Sequence, residues 1–189
     1  SGSGIVNDAS LLRSGGALTA NARSGTLANT SSGANGGIVA ATSATLRGSA
    51  IDNQGGYVEA GTRLDADDAA IGRIDNRNAG VLYTRGDAML TAGGLDNRGG
   101  AVEARGDLTV TTAGGTVNNT STATQTSRIA AGGALTLRAA SLDNRGAGAN
   151  TPNAQDVGLY GNTLDITVGG ALDNTGGYLR ATDTLTLGA

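Results

Sequence analysis

The chain has no cysteine, histidine, tryptophan or phenylalanine, and its 189 residues include a single proline. Without cysteine there are no disulfides and no thiolate metal sites. Without histidine or cysteine, neither a Ser-His triad nor a common zinc site can be assembled, and nothing points to a cofactor. Four tyrosines are the only aromatic residues, so apolar burial must come from Leu, Ile, Val and Ala in a thin core. Lysine is missing too: all 13 basic residues are arginine, set against 16 acidic ones for a net charge of −3. That balance gives no strong field for steering toward nucleic acid or an anionic membrane. No apolar run is long enough to span a membrane, and no basic-then-apolar signal segment opens the chain. The opening Ser1-Gly2-Ser3-Gly4 reads as a linker or cloning scar. Residues 5–189 then form a single repeat domain, a fragment of something longer.

What the chain has instead is glycine, 33 residues of it, and a repeat. An aliphatic residue opens each copy: Ile5, Leu27, Ile51, Ile74, Leu95, Val117, Leu142 and Leu172. Successive openers lie 21 to 30 residues apart, a period typical of stacked repeats. Two positions after every opener stands asparagine, at Asn7, Asn29, Asn53, Asn76, Asn97, Asn119, Asn144 and Asn174. Chance does not give that.

Within each copy, short segments alternate apolar with polar residues and are rich in Val, Ile, Leu and Thr, which reads as strand. Val58, Leu82, Val102, Ile129, Leu159 and Leu179 recur at one equivalent position. Gly-Gly pairs, such as Gly55 with Gly56, Gly99 with Gly100 and Gly132 with Gly133, lie between the strands, where positive φ and tight corners are expected. No window carries a sustained helical period with caps. The pattern predicts an all-β solenoid of about eight coils, with three short strands per coil. Equivalent residues would stack about 4.8 Å apart, giving a rod roughly 35–40 Å long. Length variation is confined to the turns, chiefly residues 120–128 and 145–157.

The repeated polar residues admit structural and chemical readings. Asparagine tolerates left-handed backbone, and stacked amides can bond from coil to coil. A ligand site has no need of the same residue in every coil, which favours a structural ladder. Asp52, Asp75, Asp96, Asp143 and Asp173 follow the opener in five copies. Stacked carboxylates repel, so alternation and electrostatics both predict that they face solvent, partly offset by Arg77, Arg98 and Arg145. A calcium ladder is the alternative, though the GGxGxD nonapeptide of calcium-binding β-rolls is absent. The clustered Asp65, Asp67 and Asp68 could serve a polysaccharide-degrading enzyme; solvated turn residues are the plainer account. Arg-Gly-Asp occurs twice, at Arg85, Gly86, Asp87 and at Arg105, Gly106, Asp107, in the same turn of the repeat. An integrin-type ligand and an ordinary turn are both open there.

The recurring pattern is LDN-x-GG-x-V-x-A-x-G-x-L-T-V. Its copies include IDNQGGYVEAGTRL at 51–64, LDNRGGAVEARGDLTV at 95–110 and LDNTGGYLRATDTLTL at 172–187. It resembles the haemagglutinin-repeat shaft of filamentous haemagglutinin and of related Gram-negative two-partner secretion exoproteins, contact-dependent inhibition proteins included. The resemblance covers nearly the whole chain. It implies a right-handed parallel β-helix, export through an outer-membrane partner, and a non-enzymatic shaft, secreted or held at the bacterial surface. Such a shaft would display turns to a receptor or glycan on a host cell or a neighbouring bacterium. The turn residues to test are the two Arg-Gly-Asp tripeptides together with Arg145, Asn150, Pro152 and Asp156.

Overall fold

The computed structural model describes residues 4–121, 124–146 and 157–189. The eight openers pair in parallel, one above the next, from Ile5 with Leu27 through to Leu142 with Leu172. They form an eight-stranded sheet whose spatial order is the order of the chain. Eight openers make about seven complete turns of an all-β, parallel solenoid. Among the described residues the one departure from strand and turn is a 3-10 turn at Gly33–Asn35.

Alternation decides which side of each strand faces in. Tyr57–Ala60, Val81–Thr84, Ala101–Ala104 and Arg128–Ala131 all bury their second and fourth residues and leave the other two half exposed. Their inward residues stack in register, so that Ile38, Val58, Leu82, Val102, Ile129 and Leu159 form one continuous aliphatic column. The third strand adds two more columns. One runs through Leu64, Ala88, Leu108, Leu135 and Leu164, and the other through Ala66, Leu90, Val110, Leu137 and Ile166. Every member of these columns is buried. A rung supplies only one small aliphatic side chain per column, worth about 1.5–3 kcal/mol if it is Leu, Ile or Val. Stability therefore comes from repetition along the axis.

Three features depart from the simple repeat. In coils seven and eight the second and third strands fuse into single strands, Gly158–Val168 and Leu179–Gly188. Gly161 and Asn162 take the corner in coil seven, and the register with coil eight shifts between Gly161 and Thr163. Ile71 is fully buried although it lies outside any strand, just beyond the acidic stretch of coil three. Leu12, Leu185 and Leu187 hold inward positions by register, yet stay 37%, 45% and 51% exposed because their coils have a neighbour on one side only.

Candidate functional site

The sharpest polar feature is the corner after the opener. There each asparagine turns its side chain into the stack, and seven of the eight are 3% exposed or less. Asn7 Nδ2 donates to Asn29 Oδ1 at 2.7 Å, Asn29 to Asn53 at 2.7 Å, and Asn53 to Asn76 at 2.7 Å. The chain continues through Asn76, Asn97, Asn119 and Asn144 to Asn174, with separations of 2.7 or 2.8 Å. The second amide hydrogen is used as well. Asn76 Nδ2 donates to Ala101 O at 3.0 Å, and Asn97 Nδ2 to Arg128 O at 3.0 Å. A buried amide keeps its cost low only when its groups are paired, and here the next coil supplies the partners.

The Gly-Gly pair that follows serves this corner in two different ways. Gly99 has φ +67°, the left-handed region where a side chain is strained. Gly100 needs space instead: a Cβ there would lie 1.9 Å from Asn76 O and 2.8 Å from Asn97 Oδ1. Gly132 and Gly133 differ from the sequence expectation, since neither has positive φ. They are glycine for proximity, because a Cβ would meet Arg105 O at 2.2 Å and Asp107 Oδ1 at 2.2 Å respectively.

The aspartate column corrects the expectation of full exposure. Asp75 and Asp96 are only 9% and 8% exposed. Arginines roof them. Arg73 bridges the two coils, reaching Asp75 Oδ2 at 3.1 Å and Asp96 Oδ2 at 2.7 Å. Arg77 grips Asp75 through Nε at 2.8 Å and Nη2 at 2.8 Å, and Arg98 grips Asp96 the same way at 2.9 and 2.8 Å. Burial pushes the Asp96 carboxyl up, but its hydrogen bonds to Arg98 and the charges of Arg98 and Arg73 outweigh that and hold it below the usual carboxylate range. Lateral repulsion predicted exposure; guanidinium pairing within the coil and, through Arg73, across coils offsets the repulsion and lets these two aspartates sink, while Asp52, Asp143 and Asp173 stay partly exposed. Arg145 repeats the grip on Asp143, with Nη2 to Oδ2 at 2.6 Å, and its Nε lies 3.5 Å from Asp173.

The remaining candidates also meet architecture. In the two Arg-Gly-Asp turns, Asp87 Oδ1 accepts the Asp107 backbone N–H at 2.9 Å, and Asp107 Oδ1 accepts that of Ala134 at 2.8 Å. Gly86 and Gly106 sit where a Cβ would meet Thr62 O at 1.9 Å and Asp87 Oδ1 at 2.1 Å. Arg85 pairs with Glu59 at 3.0 Å, and Arg105 Nε donates to the Tyr83 hydroxyl at 3.1 Å. In the acidic cluster, Asp65 binds Arg47 at 2.9 Å and Asp68 lies 3.9 Å from the same guanidinium. Burial pushes the Asp65 carboxyl up, yet the Asp67 N–H and the Arg47 and Arg63 guanidiniums bring it below its ordinary value. A glycosidase acid needs the opposite shift. Asn150, Pro152 and Asp156 lie outside the described residues.

In the turn at 120–128, Ser127 is fully buried. Its Oγ accepts the Gly99 N–H at 2.7 Å and donates to Thr120 O at 2.6 Å, which ties this turn to the coil-five corner. One set of residues escaped the sequence reading altogether. Tyr57, Tyr83 and Tyr160 project outward from the second strand, each next to an inward aliphatic residue, and Tyr178 directly precedes that strand in coil eight. Each tyrosine adjoins Val58, Leu82, Leu159 or Leu179, but two precede and two follow that residue, so adjacency was the one available signal.

Among the described residues no group of three or more carboxylates is arranged to hold a metal ion, and no helix is long and apolar enough to cross a membrane. Parallel coils locked by a buried amide ladder define a structural β-solenoid. The Haemagglutinin repeat family matches residues 1–31, 13–73, 61–121 and 112–189, and the chain belongs to that family. The family is a structural repeat, typically of secreted or surface exoproteins. No curated protein and no solved structure matches the chain.

Proposed function

We propose that the chain is a segment of the shaft of a large adhesive exoprotein, secreted from or held at the surface of a Gram-negative bacterium. Export runs through an outer-membrane partner, and the shaft contacts a receptor or glycan on a host cell or neighbouring bacterium. The observation that carries this reading is the fate of the polar side chains. The recurrent Asn bond to the adjoining coils and the recurrent Arg hold the Asp of their own coil, which is the work of a spacer. Variation is left to the turns and the outer strand faces. A non-enzymatic role is supported by the pairing of Asp65, in the acidic cluster, with Arg47 and Arg63.

Attachment through turns has a direct test. The 189-residue chain is compared in cell-binding assays with a version whose turns at 120–128 and 145–157 are cut to the length of the coil-five turn. Reduced binding by the shortened form is expected. Equal binding would remove the turns from the account, and no binding by either would reduce the segment to a spacer.

A further inference from the structure

The outward face of the second-strand ladder differs from the rest of the surface. Strand register stacks Tyr83, Glu103, Ala130 and Tyr160 in one outward column, with Arg180 beyond. The two tyrosines are three rungs apart, roughly 14 Å at the spacing of neighbouring strands. Between them the small Ala130 leaves an open groove of about 370 Å³, walled by both rings.

The charges around it do not follow those of the chain. Arg105 lines the groove with its Nε on the Tyr83 hydroxyl at 3.1 Å, and Arg128 lines it while paired with Glu103. Arg180 lies over the Tyr160 ring, 5.6 Å from its centroid. Two guanidiniums, Arg105 and Arg128, thus line the groove against one carboxylate, Glu103, with Arg180 beyond Tyr160 and Glu59 on the far side of Tyr83, in a protein whose net charge is −3.

Each element points to a chemical class. Tyrosine offers an apolar face with a polar tip, which suits a ring that is apolar on one side and hydroxylated at its edge. Arginine forks match carboxylates. A few polar groups on largely apolar walls are the usual composition of a ligand site. An extended peptide would gain little, because the backbone of this face is already paired on both sides within the ladder, leaving no edge to extend. A neutral sugar would leave the positive excess unmatched.

We propose that this groove binds an acidic oligosaccharide, with carboxylate-bearing rings, laid along the solenoid axis from Tyr83 to Tyr160. It moves attachment from the turns to a strand face, and it rests on the adhesive reading above for its purpose though not for its chemistry.

The test titrates the intact chain with short galacturonate oligomers and follows tyrosine fluorescence. With no tryptophan present, the four tyrosines are the reporting groups. Galacturonate should change the signal with an affinity that weakens as salt rises, and maltose oligomers should not. Tyr160→Ala and Arg105→Gln should each lower affinity by roughly tenfold with the far-ultraviolet spectrum unchanged. Arg85→Gln, whose partner is Glu59, should leave affinity intact. Wild-type affinity in Tyr160→Ala, equal binding of maltose oligomers, or equal binding of polyglutamate would each overturn the proposal. Failure here with cell binding retained would remove the groove alone. Galacturonate binding without cell binding would keep the groove and remove the adhesive role.

Discussion

Removing one amide from the middle of the ladder tests what the asparagines do. Asn97 receives a hydrogen bond from Asn76 and donates to Asn119 Oδ1, both buried, and to Arg128 O, which is partly buried. Asn97→Ala orphans one amide hydrogen of Asn76 and the oxygen of Asn119. At about 1–3 kcal/mol for each buried unsatisfied group, the loss centres on about 4 kcal/mol. Asn7→Ala, in the first coil, takes a donor from Asn29 Oδ1 but leaves no ladder amide hydrogen unpaired, and should cost about half as much. Urea unfolding reads the difference: with a slope near 2 kcal/mol per molar, Asn97→Ala should lower the midpoint by roughly 2 M. Because coils touch only their neighbours, weakening one rung opens the stack there, and amide exchange should quicken first around residues 95–131. Asn97→Asp sharpens the test, since an ionised carboxylate accepts from Asn76 but has no hydrogen for Asn119. That variant should recover stability on acidification as its buried carboxyl takes up a proton. A cost below about 1 kcal/mol for Asn97→Ala, or one equal to that of Asn7→Ala, would refute the ladder as a source of stability.

Gly100→Ala should prevent normal stacking, because its Cβ would lie 1.9 Å from Asn76 O, whereas Gly16→Ala meets nothing within 4 Å and should leave the melting temperature unchanged or slightly raised. Leu82→Ala empties one position of a fully buried column and should cost about 2–5 kcal/mol by urea denaturation. The Asp96 carboxyl is held low in the folded protein, so its contribution is complete above the ordinary aspartate pKa of about 4 and is lost as pH falls through the lower folded value. Melting temperature followed from pH 7 downward should therefore drop in acid, and Asp96→Asn should flatten that drop. An unchanged acid profile would dissociate Asp96 from acid stability.

The strand ladders were legible because an inward position admits only an aliphatic residue, so Val102 and Ile129 mark their own register. The corner asparagines were legible as a spacing, and the glycines beside them as turn residues. The burial of Asp75 and Asp96 was not, because it depends on Arg73, which precedes the opener and has no equivalent in most copies. Ile71 was missed because it lies outside any alternating segment. The tyrosine face was missed for another reason: outward residues are free to vary, so no single copy shows a pattern. Only stacking brings Tyr83 and Tyr160 onto one line.

The stacking also fixes how the rod yields to a pull. A coil adds about 4.8 Å of height while folded, yet holds 21 to 30 residues, which extend to roughly 70–100 Å once released. Tension on the two chain ends would load the bonds of the outermost coil first, and each coil that peels away lengthens the tether some fifteen- to twentyfold over its folded rise. A surface built from such coils can absorb shear by paying out slack one layer at a time, while the coils behind the peeling edge keep their shape.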